Sequence, residues 1–247
     1  MKRIRLKVAY DGTNYCGWQV QPNEVTVEGV LNKTLSELLD EEIEVVGASR
    51  TDSGVHAEGN YCIFDSDTKI PAEKIAYALN QRLPEDISIV KSEEVDSDWH
   101  PRYQESVKTY EYRIVNREMP DPVRRLYTYF TYSKLDVSAM QKAAKYLVGE
   151  HDFASFCSAG SQVDSTVRAV LSLDVTQNGD EIVVTITGNG FLYNMVRIIV
   201  GTLLEVGEGK LTPEDMKGIL EAKDREKAGK TAVARGLKLV EIKYENE

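Results

Sequence analysis

One guanidinium, one carboxylate, two hydroxyls and an imidazole fall within the stretch Arg50-Thr51-Asp52-Ser53-Gly54-Val55-His56. An aspartate held in a dry pocket acts as a nucleophile or stabilises developing positive charge, and neither role needs a cofactor. Thr-Asp-Ser-Gly is equally ordinary turn chemistry, because Asp and Ser bond their own backbone and Gly supplies positive φ. The residues by themselves leave both readings open. Functional loops are commonly held still by a rigid scaffold, and the flanks supply one. The apolar run Ile43 to Val46 precedes the stretch and Gly59 to Phe64 follows it, each patterned as a strand.

The remaining elements follow from periodicity and punctuation. Arg3 to Tyr10 alternates and stops at Asp11-Gly12, as a strand closed by a turn does. Val27, Val30, Leu31, Leu35, Leu38 and Leu39 fall at helical spacing. Ile43 to Ala48 and Asn60 to Asp65 are the next strands; Pro71 opens a helix with Ile75, Ala76, Leu79 and Leu83 on its apolar face, and Ile87 to Val95 is a fourth strand. The order is β-α-β-β-α-β. After Trp99-His100-Pro101-Arg102 the pattern repeats. Val107 to Asn116 is a strand, Asp136 or Ser138 starts a helix through Val148, and Arg168 to Gln177 pairs with Glu181 to Thr187 around Asn178-Gly179. Phe191 to Leu204 is helical, Thr212-Pro213-Glu214-Asp215 caps a short extra helix, and Leu237 to Tyr244 closes as a strand. The fold class is therefore α+β, with two ferredoxin-like halves over 1–104 and 105–247 that share a pattern but no residue-level similarity.

Composition bounds the partners. A chain of 247 residues has enough apolar content for a real core. The alternating start Met1 to Lys7 is not a signal peptide, and no apolar run approaches membrane-spanning length, so a cytoplasmic protein is expected. Cys16, Cys62 and Cys157, like His56, His100 and His151, are scattered without the spacing of a metal site, so neither metal nor disulfide is expected. A net charge of -10 opposes nonspecific binding to nucleic acid, whose affinity rests on Lys and Arg at phosphates. It leaves room for a local basic groove, and Arg113, Arg117, Arg124 and Arg125 cluster among Tyr110, Tyr112, Tyr127, Tyr129 and Tyr132. Three glycine-bearing stretches fail as nucleotide sites. Gly229-Lys230-Thr231 has Asp224 where a phosphate loop needs its first glycine, Gly207 to Lys210 lacks the spacing, and Gly188-Asn189-Gly190 is only part of a dinucleotide fingerprint.

The segment from Gly47 to Ala57, GASRTDSGVHA, resembles the GRTDAGVHA motif of the tRNA pseudouridine synthase A family. Tyr10 to Gln19 resembles that family's YDGxxYxGWQ. In the same order come His100-Pro101-Arg102-Tyr103, Lys108-Thr109-Tyr110-Glu111-Tyr112, Gly149 to Phe153, Met195 to Gly201 and Ala222 to Arg225. Ser49 and Val233 depart from it, standing where the family has Gly and Pro.

The resemblance implies the pseudouridine synthase fold: two halves, RRM-like in pattern, joined in one continuous, mainly antiparallel sheet with helices packed on one face. It implies an isomerase without cofactor or metal, a homodimer that acts on uridines 38 to 40 in the anticodon stem-loop of tRNA. Such a reaction breaks the N1 to C1′ bond, turns the base and rejoins it through C5. The matched positions make Asp52 the nucleophile, with attack at C1′ or C6 left open, and Arg197 its partner. An arginine within reach keeps a desolvated carboxylate ionised, although Arg197 is equally readable as a snorkelling residue on an apolar helix. The base must leave its stack, and Tyr110 is the platform that receives it and a proton carrier at C5. By pattern alone Tyr110 is a packing residue in a strand. Arg50 fills the gap left by the base or grips its phosphate, and Leu237 touches the uracil. A non-catalytic RNA binder on the same platform, and a carboxylate-dependent nucleoside hydrolase, are the competing readings.

Overall fold

Alternation near the N-terminus yields strand β1, Lys2–Tyr10, whose Ile4, Leu6 and Val8 are fully buried. The computed structural model describes residues 1–160 and 163–245, among which ten strands and five α-helices form. Helix α1, Val27–Leu39, starts where the Thr26 side chain accepts the N–H of Gly29 and buries Val27, Leu31 and Leu35. A Leu removed from water in this way contributes roughly 1.5–3 kcal/mol. Strand β2 is only Val46–Gly47, shorter than the alternation from Ile43 predicts. The N–H of Ile43 goes to Ser36 Oγ and that of Val45 to Asn32 Oδ1, both on α1, so those donors are lost to the ladder. Strand β3, His56–Ser66, begins earlier than expected and absorbs the end of the loop; α2, Ala72–Asn80, and β4, Ile87–Val95, complete this half. Strand β1 lies antiparallel between β4 and β3, while β2 pairs Ile63 and Cys62 on the other edge of β3.

The second half opens on β5, Ser106–Asn116. Strand β6, Tyr129–Thr131, runs parallel to its end and has no periodic signal in the sequence. Helix α3, Val137–Ala144, is capped by Asp136 and gives way to a 3-10 turn before Val148, so it is shorter than predicted. Strand β7, Gly149–Asp152, was not expected either; β8, Val167–Asn178, and β9, Glu181–Gly188, form the hairpin around Gly179. The order is β5-β9-β8-β7, antiparallel throughout. Helix α4, Met195–Gly207, begins four residues later than Phe191 because Asn194 takes a left-handed φ of 60°. It is buried nearly all round, as expected of a core helix. Thr212 and Asp215 bond each other reciprocally at the start of α5, Asp215–Ala222.

The last strand, β10, Leu237–Tyr244, pairs Lys238 and Leu239 in parallel with His56 and Ala57 of β3. The chain accordingly divides into two compact units, Met1–Glu105 with Lys238–Glu247, and Ser106–Leu237. Among the described residues no helix is long and apolar enough to cross a membrane, and no cluster of His, Cys, Asp or Glu could hold a metal ion.

Candidate active site

In the first unit, the loop between β2 and β3 carries Arg50 and Asp52, and its backbone is tied down on every side. Asn60, wholly buried on β3, accepts the N–H of Ser49 at 3.2 Å and donates to its carbonyl at 2.9 Å. The Thr51 hydroxyl meets Tyr10 OH at 2.7 Å, and its carbonyl accepts the N–H of Trp18 at 3.1 Å. The N–H of Gly54 and the hydroxyl of Ser53 both donate to the carbonyl of Tyr15, and the N–H of Val55 closes a turn on the carbonyl of Asp52. Asp52 itself is half-buried and Arg50 is exposed. Ser49 is not among the residues with positive φ, so this departure from the family pattern costs no backbone strain.

The segment after β1 is the cradle of this loop. Gly17 has a φ of 85°, and a Cβ there would stand 2.6 Å from the carbonyl oxygen of Thr51. At Gly12 a Cβ would meet the carbonyl oxygen of Val55 at 2.0 Å. The buried His56 accepts the N–H of Gly12 on Nδ1 at 3.1 Å, with Asp11 Oδ1 3.0 Å from the same nitrogen. These contacts make His56 a tie between the Asp11-Gly12 turn and the loop. Tyr15 donates its hydroxyl to Asp86 at 2.5 Å, and burial followed by that carboxylate raises its pKa.

Tyr110, Arg197 and Leu237 belong to the second unit. Tyr110 is buried on β5 with its ring edge-on to Phe191, centroids 5.3 Å apart. Two residues on, Tyr112 donates its hydroxyl to the carbonyl of Val233 at 2.9 Å, and burial pushes that hydroxyl's pKa up. Arg197 on α4 donates Nε to the carbonyl of Ala232 and Nη1 to Asn194 Oδ1, both at 2.8 Å. Its own carbonyl accepts the N–H of Ala232. The segment 229–237 is thereby clipped between α4 and β5, and it delivers Leu237, 5% exposed, at its end. Gly229, at the head of the phosphate-loop look-alike, spends its N–H on Thr202 Oγ1.

The arginine cluster read from the sequence is not a free basic surface. Arg124 pairs with Asp121 and Asp180, Arg117 with the same two acids, and Arg113 with Glu111 and Glu181. Arg125 donates to the carbonyl of Pro122. Sequence reasoning missed the supports: Tyr10 and Asn60 under the loop, Asn194 beside Arg197. Only Tyr10 had a signal, its place in the first motif.

A family model described as tRNA pseudouridine synthase matches residues 7–104 and 143–245. The chain belongs to that family. It is 52% identical over 244 residues to the tRNA pseudouridine synthase A of Brevibacillus brevis, covering 99% of this chain and 100% of that relative. The corresponding proteins of Ruminiclostridium cellulolyticum and Clostridium acetobutylicum are 50% and 49% identical, with the same coverage. This pseudouridine synthase is thus an isomerase. Arg50, Asp52, Arg197 and Leu237 lie inside the matched segments, and Tyr110 lies between them.

Proposed function

We propose that the chain converts uridines 38 to 40 of the tRNA anticodon arm to pseudouridine, with Asp52 as the nucleophile. The observation that carries this reading is the anchoring of the Asp52 loop. Six separate backbone or hydroxyl groups of residues 49–54 are bonded to β1, β3 and the segment after β1, and Asp52 sits half-buried on that frame. A pure RNA binder has no use for an acid carried on a loop whose backbone is held so firmly. The base is flipped from its stack at a cost of a few kcal/mol, and stacking on one aromatic ring, here Tyr110, returns roughly 1–3 kcal/mol. Arg197 supplies the counter-charge to the carboxylate, Arg50 takes the vacated stack or the flanking phosphate, and Leu237 packs on the uracil. The Asp52 carboxylate adds to C1′ or C6 as the N1 to C1′ bond breaks. C5 then bonds C1′, the bond to Asp52 breaks and returns its electron pair to the carboxylate, and the C5 proton is relayed away by the Tyr110 hydroxyl as N1 gains one.

Asp52→Asn keeps the side chain's shape and removes its nucleophilic oxygen. Tritium release from tRNA labelled at C5 should fall to background while tRNA binding stays within a few-fold of the parent. Continued release would eliminate the mechanism. The chain acts as a homodimer in this reading, so light scattering should give twice the 27.7 kDa chain mass; a monomer mass at working concentration removes that part alone.

A further inference from the structure

Arg102 follows the first unit's last expected strand, in a motif to which the sequence assigns no role. Its Nε donates to the carbonyl of Gly47 at 2.8 Å, three residues before Arg50. Gly47 is bare for a reason: the indole of the buried Trp18 lies against it, and a Cβ there would be 2.3 Å from Trp18 Nε1. The backbone that receives Arg102 is thus fixed from below. From the other side, the turn that carries Arg102 is stiffened by His100 and Tyr103. Their rings stack at 4.2 Å, and His100 Nδ1 accepts the N–H of Arg102 at 3.2 Å.

What this framework presents is positive charge without an acid to match it. Among the described residues, Arg50 has no hydrogen-bond or carboxylate partner, and neither terminal nitrogen of Arg102 has one. Partial burial and then the charge of Arg50 hold the Arg102 pKa below its ordinary value. Glu28 acts in the opposite sense, but its carboxylate is engaged by the N–H of Val20 at 2.8 Å. The contrast with Arg113, Arg117 and Arg124, each bonded to carboxylates, is direct. Two guanidiniums whose charges act on one another, with no carboxylate bonded to either among the described residues, match a phosphodiester, since each is a planar fork suited to two phosphate oxygens.

We propose that Arg50 and Arg102 jointly hold one backbone phosphate of the RNA substrate, with Arg102 positioned for it by the Gly47 carbonyl. The proposal rests on the tRNA reading above and adds a residue to it. Binding of unmodified tRNA transcript, measured over a range of salt concentrations, provides the test. Losing one phosphate contact on a single strand lowers the slope of log K against log salt by about 0.7. Arg102→Gln and the double variant with Arg50→Gln should each lower it by about that much, because one phosphate is shared. Arg102→Lys keeps the charge but cannot keep both the Gly47 bond and the fork, and should retain the slope. An unchanged slope in Arg102→Gln overturns the assignment, as does a double variant that loses twice as much. Arg102→Lys failing as badly as Arg102→Gln, with the melting curve displaced, makes Arg102 a structural brace instead. If the parent protein itself neither binds nor modifies tRNA, the tRNA reading fails and the phosphate site falls with it.

Discussion

Val233 shows how a departure from a motif becomes interpretable once its backbone is known. Where the family pattern has Pro, Val233 adopts φ -62° and ψ 146°, inside the window that a proline ring imposes. Its carbonyl is the acceptor for Tyr112, and among the described residues its N–H donates no hydrogen bond. The conformation is therefore held by neighbours without the ring that would preset it. Val233→Pro removes unfolded-state freedom and no native hydrogen bond, so it should stabilise the protein by about 0.4–1 kcal/mol. Denaturant titration would show the midpoint moving up with no change in slope; a lower midpoint would mean that the ring collides with Ala232. Ser49 is the converse case. The sequence suggests that glycine's freedom is missing there, yet the backbone needs none, because Asn60 satisfies both its N–H and its carbonyl. Neither substitution's meaning was legible beforehand, since φ is not written in residue type unless the residue is Gly or Pro.

Elements carried by their own periodicity were legible, and elements created by partners were not. Helices α1 and α2 and strands β1, β4, β5, β8 and β9 have apolar faces that repeat within the segment, and each appears close to its expected place. Strands β6 and β7 are three and four residues long and exist only because β5 and β8 offer them an edge. A segment so short shows no period to read. Strand β2 erred the other way, its alternation outvoted by side chains of α1 that take the donors of Ile43 and Val45. The arginine cluster failed for a related reason. Asp180, which neutralises Arg117 and Arg124, sits at the β8–β9 turn, far from both in sequence. Charge compensation across such a distance cannot be seen in a local window. The loop of Asp52 was legible as a motif, but its rigidity depends on Tyr10 and Asn60, which only the strand register brings beneath it.

At the scale of the whole chain, an acidic protein with a net charge of -10 binds an anionic partner only by leaving particular cations uncompensated. The first unit does so at Arg50 and Arg102, and it is completed by residues from the far end of the sequence. Strand β3 is flanked by β1 on one side and by β10 on the other, so the edge next to His56 is closed only when the last strand returns. That strand brings Leu239, Ile242 and Tyr244 into the core, at 0%, 2% and 3% exposure. Tyr244 stands edge-on to Tyr61 at 5.5 Å and Trp99 at 5.1 Å, and its hydroxyl donates to the carbonyl of Pro101. Three buried side chains at roughly 1.5–3 kcal/mol each amount to about 5–9 kcal/mol. Typical net stabilities are only about 5–15 kcal/mol. A chain that stops after Leu237 should therefore lose the cooperative unfolding of its first unit. Near-UV circular dichroism would lose much of its tyrosine and tryptophan signal, and activity would vanish although every proposed catalytic residue is retained. A truncated chain that melts within a few degrees of the full one would show instead that β1, β3 and β4 suffice to hold the Asp52 loop.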